Sequence, residues 1–266
     1  MSIRVAKNCG SFYPCNKDEL DNLISIFNNA LDIAQNIKDK LSLKPKAIIS
    51  PHAGYIYSGF GANFAHRVLA NNRVKRVVVI GPSHHIYLEG ISGSFFNSYQ
   101  TPYGNIAIDL EYLNILKKEF NIGFESSAHG IEHSTETQMP FIAKYQPGVK
   151  VIELIYGKYN YKELAYIVKW LLQDSLTSVV ISSDLSHFHT LEQANTLDSI
   201  CLEGIKKLDN DIIDIGCEAC GILGIKALIN AAKQLNLKSE ILDYRTSEDV
   251  TKDAKKVVGY GAAAIY

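Results

Sequence analysis

The sequence has no surplus of charge of either sign. Lys and Arg number 27 and Asp and Glu number 28 among 266 residues, a formal net charge of −1. Proteins that bind a phosphate backbone usually carry a basic surplus, so this balance argues against a nucleic-acid partner. No apolar run approaches the ~18 residues of a membrane span, and the first residues lack the apolar core of a secretory signal. We therefore expect neither nucleic-acid nor membrane partners.

Cysteine is scarce too, with five residues in an odd and scattered set. A chain of this length buries roughly three quarters of its unfolded surface and does not depend on disulfides for stability. We expect reduced cysteines and a cytoplasmic location. Cys217 and Cys220 form a CxxC pair, but there is no second pair for a zinc site and no strand leads directly into it, as a redox dithiol would require. We interpret Cys217 as a small buried residue.

Short β-branched runs alternate with amphipathic stretches along the chain. The pattern predicts strands at 47–50, 76–80, 149–156, 178–182, 240–244 and 257–266. It predicts helices at 16–34, 59–70, 110–120, 135–145, 161–172, 191–208 and 221–235. Asn16, with Glu19 three places on, is typical of a helix N-cap. We expect one α/β domain over 1–266, a three-layer fold with a central mainly parallel or mixed sheet flanked by helices.

Polar side chains follow three of the predicted strands. They are His52 after the first, His84 and His85 after the second, and Asp184, His187 and His189 after a third. Open α/β sheets build their sites outside the carboxyl ends of the strands, so these turns can meet in one crevice. A single such histidine is more often a turn residue, but the joint pattern favours a metal site, because two imidazoles and one anionic ligand form a recurring mononuclear set.

Cys220 is our candidate for the third ligand. It stands just before an apolar helical stretch, and a helix N-terminus favours the thiolate form of a nearby cysteine. Another segment places His133 and Glu136 three residues apart, where both could face one side of a helix. Either a pocket role or a capped helix start with solvated charges fits that spacing.

Together these motifs resemble the Memo family over almost the entire chain. They are Gly10-Ser11-Phe12-Tyr13-Pro14, Pro51-His52-Ala53-Gly54-Tyr55, Gly81-Pro82-Ser83-His84-His85, Thr101-Pro102, Glu132-His133-Ser134 with Glu136, Ser182-Ser183-Asp184 with His187, and Cys220-Gly221. In archaea and bacteria this family is known as the B protein of the AmmeMemoRadiSam system. The resemblance therefore implies a functional link to a radical-SAM protein and an AMMECR-type protein.

The resemblance also implies a fold similar to that of class III extradiol ring-cleaving dioxygenases, which are non-haem iron enzymes. His52 and His84 would match their two metal-binding histidines, and Cys220 falls where they carry a carboxylate ligand. His187 would be the acid/base residue, with Asp184 orienting it. Three further residues would lie on the substrate side of the pocket: Tyr55, His133 and Glu136. His85 would be structural or would support the ligands.

The exchange of carboxylate for thiolate shifts metal preference toward copper, zinc or thiolate-tolerant iron, so activity on catechols does not follow from the fold. We expect an oxidoreductase-like protein with one iron or copper ion, zinc being the third choice, and a small-molecule or peptide ligand. The eukaryotic branch is linked to phosphotyrosine-peptide recognition, so a non-catalytic peptide- or anion-binding module is an alternative. A zinc hydrolase is another, and without a metal Cys220 and His187 could act as nucleophile and base.

Overall fold

The β-branched runs form the centre of the molecule. A computed structural model describes residues 2–266. Its strands are β1 Ile3–Arg4, β2 Ala47–Ser50, β3 Arg76–Pro82, β4 Ile91–Gly93, β5 Ser98–Thr101, β6 Gly104–Ala107, β7 Lys150–Tyr156, β8 Thr177–Ser182, β9 His187–His189, β10 Ser239–Thr246 and β11 Val257–Ile265. Every residue of β2 and β8 is buried, as in strands that are covered on both faces.

The main sheet has the order β10-β11-β2-β8-β3-β7-β4, and β9 pairs with β11. Strands β2, β8, β3 and β7 are parallel, whereas β10, β11 and β4 pair antiparallel. The expected mixed sheet is therefore confirmed. Ser50 lies opposite Ser182, and Ile80 lies opposite Ile181, so β2, β8 and β3 end at the same edge. A smaller sheet has the order β1-β5-β6.

Helices fill the connections between strands. They are α1 Lys17–Ile33, α2 Lys38–Leu41, α3 Tyr55–Leu69, α4 Leu110–Phe120, α5 Ser126–Gly130, α6 His133–Glu136, α7 Met139–Tyr145, α8 Tyr161–Gln173, α9 Leu191–Lys207, α10 Asn210–Gly216, α11 Ile222–Gln234 and α12 Glu248–Thr251, with a 3-10 turn at Gln35–Ile37. The Asn16 cap is confirmed, since its side chain accepts hydrogen bonds from the backbone of Asp18 and Glu19.

The helices cover both faces of the main sheet. Gly61 of α3 packs close to Ala262, while Leu202 of α9 packs close to Gly261. Neighbouring residues of a strand face opposite sides of a sheet, so α3 and α9 lie on opposite faces of β11. This is the expected three-layer arrangement. Among residues 2–266, no helix is long and apolar enough to cross a membrane.

The predicted helix over 135–145 is two helices in the structure. Helix α6 ends at Glu136 and α7 begins at Met139, with Pro140 in its first turn. Proline is favoured there because the amide hydrogen it lacks would have no partner within the helix. Gln138 therefore lies between the two helices, and it is fully buried.

Two disulfide bonds contradict the expectation of reduced cysteines. Cys9 is bonded to Cys15, and Cys201 to Cys217, so Cys217 is buried but is not the simple packing residue that we expected. Cys201 lies on α9 and Cys217 directly follows α10, and the packing of these two helices brings the sulfurs together. Sequence spacing does not encode that contact. Of the five cysteines, all within the described residues, Cys220 is the free one. The cytoplasmic location stays a prediction.

We predict that the variant Cys201→Ala/Cys217→Ala has a free energy of unfolding about 3 kcal/mol below that of the wild type, because a cross-link across 16 residues restricts the unfolded chain. The matched variant Cys9→Ala/Cys15→Ala removes a disulfide that spans only 6 residues. Its free energy of unfolding should therefore fall by about 2 kcal/mol. Urea titrations measure both. Thiol titration of the unfolded, unreduced wild type should find one thiol per chain; five would contradict the structure.

Candidate metal centre

Three turns at one edge of the main sheet bring the predicted site together. His52, His84 and Asp184 each come two positions after the last residue of β2, β3 and β8. Those strands are parallel neighbours, and their register puts His52 level with Asp184 and His84 one position further along, so the three residues lie at the same edge of the sheet. The rings of His52 and His84 lie with their centroids 5.2 Å apart. One ligand atom from each of His52, His84 and Cys220 lies within 4.8 Å of the other two.

Cys220 reaches this point from the turn that precedes α11. Its Sγ lies 3.3 Å from His52 Nε2, and it accepts a hydrogen bond of 3.3 Å from the backbone N–H of Asp184. The close approach depends on Gly221, because a Cβ there would lie 2.5 Å from Cβ of Ser183. The Gly221 N–H instead donates to Ser183 Oγ at 2.9 Å. A glycine after Cys220 is therefore a condition for the thiol to reach the histidines.

Burial determines the protonation of two of the three candidate ligands, Cys220 and His52. It raises the pKa of Cys220 to about 12, with the negative charge of Asp184 as the next cause. The helix N-terminus, which we expected to favour the thiolate of Cys220, therefore does not outweigh burial. Burial also holds the pKa of His52 well below its usual value, helped by the neighbouring His84 and His133. Both donors are uncharged at neutral pH, and a bound cation would favour the thiolate.

Glu132 holds His84 in place. Its carboxylate accepts a hydrogen bond of 2.6 Å from the backbone N–H of His84 and lies 2.9 Å from His84 Nδ1. Burial alone would raise the pKa of Glu132, but these hydrogen bonds bring it down to about 2. Because an ionised carboxylate only accepts, His84 donates from Nδ1, and its Nε2 is free for a ligand. Sequence reasoning did not assign this role, since spacing does not reveal which acidic side chain is buried.

His133 is the third histidine of the cluster. Its ring centroid lies 4.6 Å from that of His84 and 4.9 Å from that of Phe12. Burial, with the neighbouring His84 as the next cause, lowers the pKa of His133 to about 4. Its Nδ1 lies 3.3 Å from Nε2 of His85, so His85 supports His133 from the exposed side.

A cavity of about 340 Å³ opens beside these rings. Its lining consists of Ser11, Phe12, Ala53, Gly54, Tyr57, His133, Asp184, His187, Val258 and Tyr260. His187 is held there by the pairing of β9 with β11, opposite Val258. Burial lowers the pKa of His187, so the ring is neutral and can accept a proton. The lining contains neither lysine nor arginine, so it offers an anion no formally charged partner.

Almost the full length of the chain is similar to proteins of one known family. The family profile described as Memo-like protein matches residues 4–264, nearly the entire chain. The chain belongs to the Memo family. It is 33% identical to a MEMO1 family protein of Methanococcus vannielii, with 99% of both chains covered. A MEMO1 family protein of Aquifex aeolicus is 31% identical, with 98% of both chains covered, and one of Thermoplasma volcanium is 32% identical over 98% of this chain and 97% of that protein.

The Memo resemblance predicts that Asp184 orients His187, and the side chains of both residues line the cavity of this Memo protein. The hydrogen bonds of the Asp184 carboxylate run instead to the backbone N–H groups of His52, at 2.7 Å, and Ala53. Burial raises the pKa of Asp184 to about 7 against these hydrogen bonds. Asp184 therefore fixes the turn that carries His52.

Glu136 does not line the cavity among the described residues. Its fully buried carboxylate pairs with Arg4 at 2.5 Å and accepts hydrogen bonds from Tyr13 Oη at 2.8 Å and from the Asn8 backbone at 2.7 Å. It thus anchors the segment that presents Phe12 to the cavity. Sequence spacing placed Glu136 on the side of His133, but the contacts with Arg4, Tyr13 and Asn8 hold its carboxylate away from the cavity that His133 lines.

Two other predicted residues also lie off the cavity. Tyr55 is buried, and its hydroxyl donates to the carbonyl of Thr137 at 2.6 Å. His189 pairs with Glu218 at 2.6 Å, where both are partly exposed. Tyr57 and Tyr260, which the sequence analysis did not single out, line the cavity instead.

We predict that Glu136→Gln lowers the free energy of unfolding by about 3–5 kcal/mol, because it leaves the Arg4 guanidinium buried without its anionic partner. Glu119→Gln, on the exposed face of α4, is the matched control and should change stability by less than about 0.5 kcal/mol. Urea titration compares the two. Equal stabilities of the two variants would contradict an anchoring role for Glu136.

Proposed function

We propose that this Memo protein is a metal-dependent oxidoreductase in which His52, His84 and Cys220 hold a single iron or copper ion. The observation that carries the proposal is the grouping of two imidazoles and one thiol within 4.8 Å. Ligands that share an ion at bonds of about 2.0–2.3 Å lie no more than ~4.6 Å apart. The three donor atoms would therefore have to move only slightly to bind one ion.

The chemistry of the donors fits a soft or borderline cation. Thiolate and imidazole favour copper(I), zinc and thiolate-tolerant iron over magnesium or calcium. When bound, such an ion would supply electron-transfer or Lewis-acid chemistry, and three protein ligands would leave room for an outside ligand. Glu132 supports the same proposal, because ligating histidines commonly donate their second ring N–H to a carboxylate.

The protein's own contribution is to hold a ligand and move its proton. The aromatic rings of Phe12, Tyr57 and Tyr260 would exclude water from a ligand in the cavity. The neutral ring of His187 would accept a proton from that ligand and return it to the product. We further propose the fold relationship with class III extradiol dioxygenases, so a catechol with dioxygen is the first substrate to test.

The cavity lining favours this function over an anion-binding module. A site for phosphate or a phosphorylated peptide usually supplies arginine or lysine, and the described lining has neither. The zinc hydrolase uses the same donor set, so the identity of the ion and the reaction must separate the two.

We predict one ion per chain in the wild type, at least tenfold weaker retention in His84→Ala and Cys220→Ser, and unchanged retention in His85→Ala. His85 is the matched control because it is the adjacent histidine and lies outside the donor grouping. Elemental analysis after reconstitution with Fe(II), Cu(I) or Zn(II) measures retention. Full retention in Cys220→Ser would contradict the ligand assignment.

We predict that His187→Ala retains the ion but loses turnover, because its ring lies on the cavity wall and outside the donor set. Oxygen uptake with catechol, measured on the iron- or copper-loaded protein, checks this. Loss of both ion and turnover would make His187 a ligand and contradict the division of roles. Zinc with ester hydrolysis and no oxygen uptake would support the hydrolase instead.

A further inference from the structure

A buried chain of hydrogen bonds runs from α3 to the inner ligand of the centre. It passes from His66 through Gln138 and Ser182 to His52, and each of these residues is at most 2% exposed. We infer that Gln138 and Ser182 are positioning residues that lock His52 in the tautomer with its proton on Nδ1. The consequence for metal binding rests on the function proposed above, but the tautomer itself does not.

The first constraint is the direction of the hydroxyl proton of Ser182. Its Oγ lies 2.5 Å from the carbonyl oxygen of Ser134, which can only accept. The single hydroxyl proton of Ser182 is therefore directed to Ser134. Any other polar atom within reach of Ser182 Oγ has to donate to it.

The second constraint is the orientation of the side-chain amide of Gln138. Its Nε2 donates to the carbonyl of Pro51 at 3.0 Å and to Ser182 Oγ at 2.9 Å. The reversed amide would place its oxygen against the Pro51 carbonyl oxygen, so this orientation is the one that the surroundings allow. Its Oε1 then accepts from Nε2 of His66 at 2.8 Å. Both amide protons are used, and neither points at His52.

The tautomer of His52 follows from these two constraints on Ser182 and Gln138. Its Nδ1 lies 3.0 Å from Ser182 Oγ, whose own proton is already directed elsewhere. Nδ1 must therefore donate, so the neutral form of the ring has its single proton on Nδ1 and none on Nε2. The lone pair of Nε2 is left facing Cys220 Sγ at 3.3 Å. Two backbone carbonyls thus fix the ligand nitrogen of His52 before any ion binds.

The direct test is the tautomer in the ion-free protein. Long-range ¹H–¹⁵N correlation of ¹⁵N-histidine-labelled protein distinguishes a protonated from an unprotonated ring nitrogen, and a His52→Gln sample assigns the signals. We expect the wild type to have a protonated Nδ1 and an unprotonated Nε2 at His52. A protonated Nε2 in the wild type would overturn the inference whether or not any variant folds.

Variants of β8 test the role of Ser182. Ser182→Ala removes the acceptor and should abolish the preference for Nδ1–H, whereas Ser182→Thr keeps the hydroxyl and should restore it. Ser178→Ala is the matched control, because Ser178 is fully buried on the same strand and its Oγ has no hydrogen-bond partner among the described residues. An unchanged His52 tautomer in Ser182→Ala would overturn the role of Ser182.

Metal affinity provides a second readout. Titration with Zn(II) should give Ser182→Ala a 10–100-fold weaker affinity than Ser178→Ala, the usual loss for residues that support a ligand. If Ser182→Ala changes the His52 tautomer but not the Zn(II) affinity, the positioning role of Ser182 is supported. The assignment of His52 as a ligand, and with it the proposed function, is then contradicted. The two proposals can therefore fail separately.

Discussion

The parallel pairing of β2, β8 and β3 is the constraint on which the site depends. Because these strands end at one edge of the sheet, the turns that follow them bring His52, His84 and Asp184 to the same edge, although the residues are far apart in the sequence. Cys220 arrives from a fourth segment, against Ser183, through a contact that a side chain at Gly221 would block. Backbone register and one glycine thus assemble the donors from distant parts of the chain.

Burial then determines the chemical state of those donors. His52 and Cys220 are held uncharged by the loss of solvent, while the nearby carboxylates of Glu132 and Asp184 bind the histidine-bearing turns. Arg4, the buried cation of this region, is engaged by Glu136 behind the cavity. The pocket therefore offers neutral nitrogen and sulfur donors next to the ionised carboxylate of Glu132, which is an environment that stabilises a cation more than an anion.

The sequence predicted the fold well, because period and composition report local structure and the burial of strands. The post-strand histidines were recognised by position, Cys220 was recognised by its place before an apolar helical stretch, and the Memo motifs contain His52, His84 and Cys220. The supporting roles of Glu132, Gln138 and Ser182 were missed, since these residues act through contacts across 44–130 positions that no local pattern encodes. The same reason explains the unexpected disulfides. Glu136 was predicted on the cavity from helical spacing, but tertiary packing turned it toward Arg4.

X-ray absorption at the metal edge of the loaded wild-type protein tests the central claim most directly. The account predicts one sulfur at about 2.3 Å and two imidazole nitrogens at about 2.0–2.1 Å from the ion. A first shell of nitrogen and oxygen alone, without sulfur, would contradict it.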